Sequence, residues 1–130
     1  MKKLLLLLFS LLISFNSYGK WIKIGDVFDG VTSVTVYIDT IKKHGEYVYF
    51  WQMLDYSKPN GQSGTMSVKS YWQGDCGVNR VKKLSFIFYK LSMGLGTPKA
   101  HDPSDPKWEY PVPKSTGGAT LRFACTYADL

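Results

Sequence analysis

The stretch Ser67-Val68-Lys69-Ser70-Tyr71-Trp72-Gln73-Gly74-Asp75-Cys76 reads as a β-strand that delivers the chain to a cysteine. From Thr65 to Trp72, Met66, Val68 and Trp72 alternate with Ser67, Lys69 and Tyr71. That is the two-residue period of a pleated strand with unlike faces. Gly74-Asp75-Cys76-Gly77 breaks the pattern. The second of the two cysteines is Cys125, near the C-terminus. An even pair in an exported chain is expected to form a disulfide. A Cys76–Cys125 bridge closes a loop of about 50 residues, worth roughly 4 kcal/mol in the chain-entropy account.

The neighbouring segments extend this strand into a sheet. Downstream, Arg80 to Leu91 places Leu84, Phe86 and Phe88 on one side and Ile87, Tyr89 and Leu91 on the other, completing a hairpin. Upstream, Glu46 to Tyr56 is the densest strand signal. Val48, Phe50 and Leu54 share one face with Gln52, and Tyr47, Tyr49, Trp51 and Met53 share the other. Two apolar faces predict a mid-sheet strand covered on both sides. Val31 to Ile38 alternates Val34, Val36 and Ile38 against Ser33, Thr35 and Tyr37, with Asp39-Thr40 ending it and Ile41 to His44 leading to a turn at Gly45. Trp21 to Ile24 is a short first strand, followed by turn residues Asp26, Asp29 and Gly30. Ser57-Lys58-Pro59-Asn60-Gly61 is a turn cluster, with no regular structure expected before Thr65.

Residues 97–114 hold five of the six prolines and read as a loop, with Trp108 and Tyr110 packing on the body. Ser115 or Thr116 then caps a helix running to about Tyr127. Leu121 and Cys125, four apart, share a face with Ala124 beside them, which lays the helix on the sheet and brings Cys125 to Cys76. The expected fold is α+β but mostly β: one antiparallel sheet of five or six strands with a C-terminal helix across one face, tethered by the disulfide. A closed small barrel is the alternative.

Met1-Lys2-Lys3, an apolar run from Leu4 to Ile13 broken by Ser10, and Ser17 and Gly19 before Lys20 have the three regions of a secretory leader. The expected division is a signal peptide over residues 1–19 and one domain over 20–130. No cysteine follows the apolar run, so a lipid anchor is not expected, nor is a membrane-spanning segment after cleavage. The expected location is the periplasm or the outer surface. The whole chain carries +6 at pH 7, and losing Lys2 and Lys3 leaves 14 basic against 10 acidic residues, +4. That mild excess favours anionic polymers or acidic protein patches. Export makes nucleic acid a poor partner.

Little in the chain points to catalysis. His44 and His101 are the two histidines, and neither has a Cys, Asp or Glu at zinc-like spacing. No metal is expected, and a haem contact through His44 or His101 is the one cofactor left open. Asp26, Asp29, Asp102 and Asp105 read as turn residues. No nucleophile, oxyanion site or glycine-rich phosphate cradle stands beside them, and the cysteines are not spaced Cys-x-x-Cys. The candidate binding patch is the basic and aromatic set around the hairpin: Lys69, Tyr71, Arg80, Lys82, Lys83 and Lys90. Alternation puts Lys69 with Tyr71, and Lys82 and Lys90 with Phe86 and Phe88. Edge lysines that block strand addition explain the same residues without a ligand.

Several landmarks recur in one order: Trp21-Ile22-Lys23-Ile24-Gly25; Val36-Tyr37-Ile38-Asp39 before Ile41; Gly45 and the Tyr47–Tyr56 strand; Ser67-Val68-Lys69 leading to Asp75-Cys76 and Arg80; Trp108, Pro111-Val112-Pro113 and Ala124-Cys125. In these the chain resembles the surface-adhesin protein E family of Gram-negative bacteria, over nearly all of residues 20–130. The resemblance implies an antiparallel sheet with a disulfide-tethered C-terminal helix, and an outer-surface, non-enzymatic binding protein. Some members are adhesins for host matrix and serum proteins, and haem binding is associated with the family's namesake. The namesake resembles a surface lipoprotein, whereas no lipidation cysteine is present here. A soluble periplasmic structural or enzyme-inhibitor domain is therefore the alternative function. Only the two cysteines carry over as matched positions. The ligand and the oligomeric state, a dimer included, stay open at this stage.

Overall fold

The computed structural model describes residues 21–28 and 33–129. The expected leader, residues 1–19, lies outside the described residues, as do Asp29 and Gly30. Among the described residues, six strands, β1 (Ile22–Phe28), β2 (Ser33–His44), β3 (Tyr47–Asn60), β4 (Thr65–Asp75), β5 (Arg80–Tyr89) and β6 (Pro98–His101), precede one α-helix, α1 (Thr116–Ala128). The strands lie side by side in chain order, each antiparallel to the next. β1 and β6 are the two edges of an open sheet, so the fold is the α+β sheet-and-helix arrangement and not a closed barrel.

Most strands run past the ends that alternation gave them. β1 continues through Asp26, which pairs with Thr35 and accepts its hydroxyl at 2.7 Å, so Asp26 is a strand residue and not a turn residue. β2 passes Asp39 and Thr40 by a bulge and resumes at Lys42 opposite Tyr49. Thr40 sits at φ 55°, and its amide donates to the Asp39 carboxylate at 2.7 Å. The strand-breaking residues thus mark an irregularity inside a strand. β3 runs on to Asn60, which pairs with Thr65, and the chain turns over Gly61–Gly64. Inside the proline-rich stretch, β6 adds four residues to the edge, with Pro98 as its first residue, where a missing donor costs no ladder bond.

The core forms where α1 crosses one face. Ile38, Val48, Phe50, Trp72 and Val81 from the sheet meet Leu121 and Ala124 of the helix. Burying a side chain such as Phe50, which is fully buried, contributes about 1.5–3 kcal/mol. Gln52, a polar residue on this face, is satisfied by the helix: its amide donates to the Thr120 hydroxyl at 3.0 Å, which in turn donates to the Thr116 carbonyl at 2.8 Å. Ser115 is the N-cap, accepting the Gly118 amide at 3.1 Å. The helix comes close because β4 presents Gly74 beneath it. A Cβ there would stand 2.7 Å from the Leu121 Cδ1 and 3.0 Å from the Val48 Cγ2.

The Cys76–Cys125 disulfide joins the turn after β4 to the last turns of α1, with Cα atoms 5.8 Å apart. Asp75 organises that turn. One carboxylate oxygen accepts the Gly77 and Val78 amides at 3.1 and 3.4 Å, and the other accepts the Arg80 Nε at 2.9 Å. The hydrogen bond from Arg80 holds the Asp75 carboxyl below the usual carboxylate range.

The opposite face of β3 is covered in part only. A tight turn, Ser92–Gly94, closes over one end: Ser67 Oγ donates to the Leu91 carbonyl at 2.7 Å and accepts the Gly94 amide at 2.9 Å, and the Met93 amide donates to Asp55 at 2.8 Å. Beyond that turn, Tyr49, Trp51 and Tyr71 have no layer above them among the described residues, and they are half-buried.

Three measurements test this account. Cys76→Ser should lower the melting temperature by several degrees or more, since such a cross-link is worth about 2–4 kcal/mol. A reductant should lower the wild type toward the variant and leave the variant unchanged. Gly74→Ala should cost roughly 1–3 kcal/mol by forcing Leu121 off the sheet, while Gly25→Ala, with nothing within 4 Å of its Cβ, stays within about 0.5 kcal/mol. The depressed Asp75 carboxyl makes the unfolded chain the better proton acceptor in acid. The Asp75 contribution is therefore complete above the ordinary carboxylate value and is lost as pH falls through the lower folded one. The melting-temperature gap between wild type and Asp75→Asn should be constant at neutral pH and narrow progressively in that acid range.

Candidate binding surface

The helix-free face is built from alternate residues of the central strands. Register places Tyr47, Tyr49, Trp51 and Met53 of β3 on it, beside Gln73, Tyr71 and Lys69 of β4. From β5 it takes Arg80 and Lys82, opposite Asp75 and Gln73, and from β2 it takes His44 and Lys42, opposite Tyr47 and Tyr49. The aromatic rings form a row. Trp51 lies 5.0 Å from Tyr71, Tyr71 lies 6.2 Å from Tyr49, and Tyr49 lies 6.4 Å from His44.

One end of the row is Trp108, which comes from the proline-rich segment. Val81 and Glu109 exchange backbone hydrogen bonds of 2.9 and 2.7 Å, pairing that segment to the outer edge of β5. The pairing sets the Trp108 ring 5.5 Å from Tyr47. The Arg80 guanidinium lies 4.1 Å from its centroid and the Lys82 ammonium 4.7 Å. Cation–π contacts of this kind stabilise by about 0.5–1 kcal/mol at exposed sites. They also hold two positive charges against the face of one indole ring. Arg80 is further fixed by Asp75, whose hydrogen bond raises the guanidinium pKa, so it stays charged at every relevant pH.

The six sequence-selected residues do not all meet here. Lys69, Tyr71, Arg80 and Lys82 share this face. Lys69 lies away from Trp108, its ammonium 5.4 Å from the Trp21 ring and 5.2 Å from the Tyr89 ring. Lys83 is on the helix side, 5.3 Å from Trp72 and 3.4 Å from the Glu109 carboxylate. Lys90, past the end of β5, donates to the Ser63 carbonyl. The expected grouping of Lys82 with Phe86 and Phe88 fails because of a bulge. Tyr71 pairs with Ser85 but Trp72 pairs with Lys83, leaving Leu84 as the extra residue and reversing the faces N-terminal to it.

Trp108 is the residue that alternation could not place, since its position depends on edge pairing from a distant loop. Tyr49 and Trp51 were legible as a face but not as neighbours of charge. The two histidines lie on opposite faces, His44 beside the aromatic row and His101 opposite Phe86 on the helix side. Among the described residues, no three His, Cys, Asp or Glu side chains are grouped to hold a metal ion, and no helix is long and apolar enough to cross a membrane.

The fold is similar to crystal structures of Haemophilus influenzae protein E. One crystal form superimposes with a TM-score of 0.59 at 19% identity, over 73% of this chain and 83% of that one. Another structure of the same protein gives 0.57 at 20% identity, over 73% and 80%. Protein E from a non-typeable strain gives 0.54 at 20% identity, over 85% and 87%. No curated protein matches the chain in sequence. The family model described as surface-adhesin protein E matches residues 21–126, the segment that carries all six strands, both cysteines and nearly all of the helix, and the chain belongs to that family.

Proposed function

We propose that this protein is an exported, non-catalytic binding module that takes a macromolecular ligand on its helix-free face, a host matrix or serum protein or another envelope macromolecule. The observation that carries the reading is Trp108, held between Tyr47 and the Arg80 and Lys82 cations at the end of an uncovered aromatic row. Half-buried Tyr and Trp with Arg are the side chains that anchor protein interfaces, because they bring large contact area with few rotatable bonds. Flat aromatic planes beside positive charge also suit acidic patches and anionic polymers. Membership of an adhesin family supports a binding role at the cell surface. The side chains on this face stack, donate protons and carry charge, and no nucleophile with an adjoining base stands among them.

The test is solid-phase or surface-plasmon binding of the purified protein to a panel of matrix and serum proteins and to a solubilised envelope fraction. For any partner found, Trp108→Ala and Lys82→Glu should each weaken the complex by roughly tenfold or more. Lys58→Glu, at the exposed end of β3, should leave it unchanged. A partner whose affinity ignores Trp108 and Lys82 overturns the assignment of this face. Protease treatment of whole cells separates surface display from a protected periplasmic location.

A further inference from the structure

The helix covers only one end of its sheet face, and the other end holds a trough. Its floor is apolar: Leu54 of β3, Val68 of β4, and Phe86 and Phe88 of β5, the last two stacked 6.3 Å apart with an interplanar angle of 16°. Two adjacent lobes, of about 410 and 350 Å³, share Ser63, Thr65 and Phe88 as lining residues. Each lies within the roughly 300–1,000 Å³ of small-ligand clefts. The rim of the larger lobe carries Lys90, Lys99 and His101, and no acidic residue lines either lobe. Among the described residues neither Lys90 nor Lys99 is in an ion pair.

We propose that this trough binds a single-chain anionic amphiphile, a free fatty-acid carboxylate. The carboxylate meets Lys99 and His101 at the rim, and the chain lies over Phe88 and Phe86 toward Leu54. Three features select that class. The floor offers Leu54, Val68, Phe86 and Phe88 for apolar and aromatic contact, which rewards methylenes, while the polar Asn60, Ser63 and Thr65 stand at the sides. The rim is positive and unopposed, so it prefers an anion to an alcohol. The surface is concave, so it receives one chain, whereas a bilayer needs apolar groups that protrude. The site lies on the sheet face opposite the Trp108 surface, and it stands or falls separately from the proposed macromolecular function.

Calorimetric titration with octanoate, decanoate and laurate, each below its critical micelle concentration, tests the proposal. Affinity should rise with chain length, by up to roughly fourfold per methylene. Dodecanol should bind more weakly than laurate. Lys99→Glu, an exposed change that leaves the fold intact, should weaken laurate by about threefold or more. It should not alter binding of a macromolecular partner. Phe88→Ser should abolish laurate binding, with its melting curve as the check on folding. The proposal is overturned by no heat of binding at saturating laurate, by affinity independent of chain length, by binding only to anionic phospholipid vesicles, or by self-association that Lys99→Glu or Phe88→Ser disrupts while laurate has no effect.

Discussion

The C-terminal helix lies across a six-stranded open sheet, and the contact between them is what the rest of the structure depends on. It is made where Leu121 sits down on Gly74, a spot with no room for another methyl group. A helix of this length is marginal in isolation, so its stability must come from packing. The disulfide fixes its far end to the turn that begins directly after Gly74 and Asp75. Close approach, covalent tether and the Gln52–Thr120 hydrogen bond all act within one region of the sheet. That concentration explains the asymmetry of the molecule. The strands are long enough to extend past the helix, and the residues beyond it become surface.

Each of the two surfaces discussed above arises from that shortfall of cover. On the helix side, the uncovered end is the Phe86–Phe88 trough. On the other side, among the described residues, the Ser92–Gly94 turn covers one end and Trp108 the other, and the aromatic row between them faces outward. In a small domain with one sheet and one helix, apolar side chains on both faces of a central strand cannot all be buried. Tyr and Trp tolerate this better than Leu or Ile, because one edge of the ring can be wet while the other packs. β3 uses that property: Phe50 is under the helix, and Tyr49 and Trp51 point the other way.

Much of this was readable from residue order. The two-residue period of β3 and β4 assigned every central side chain to its correct face, and the cysteine pair fixed the helix to the sheet. What could not be read were the irregularities. The bulge at Leu84 reverses which lysine faces the helix, because one extra residue shifts a period of two by half. The bulge at Thr40 and Ile41 let β2 continue through residues that ordinarily stop a strand. β6 lies in a proline-rich stretch without alternation, and the Trp108 position depends on the pairing of Glu109 with the distant Val81, so local pattern carries no signal for either. The candidate site was therefore half legible. Its strand residues were found, and the loop residue that completes it was not.

Because every strand pairs with its immediate neighbour in the chain, the sheet is a succession of hairpins with no crossover connection. Topologies of this kind close short loops first and fold quickly relative to sheets with long crossovers. The helix and Cys125 come last in the chain, so the hairpins are available to pair before the helix closes the core over them. The thiols then have a preformed surface on which to meet, and the covalent link locks an arrangement that the strands have already chosen. A protein with this strand order needs no long crossover connection to complete its sheet.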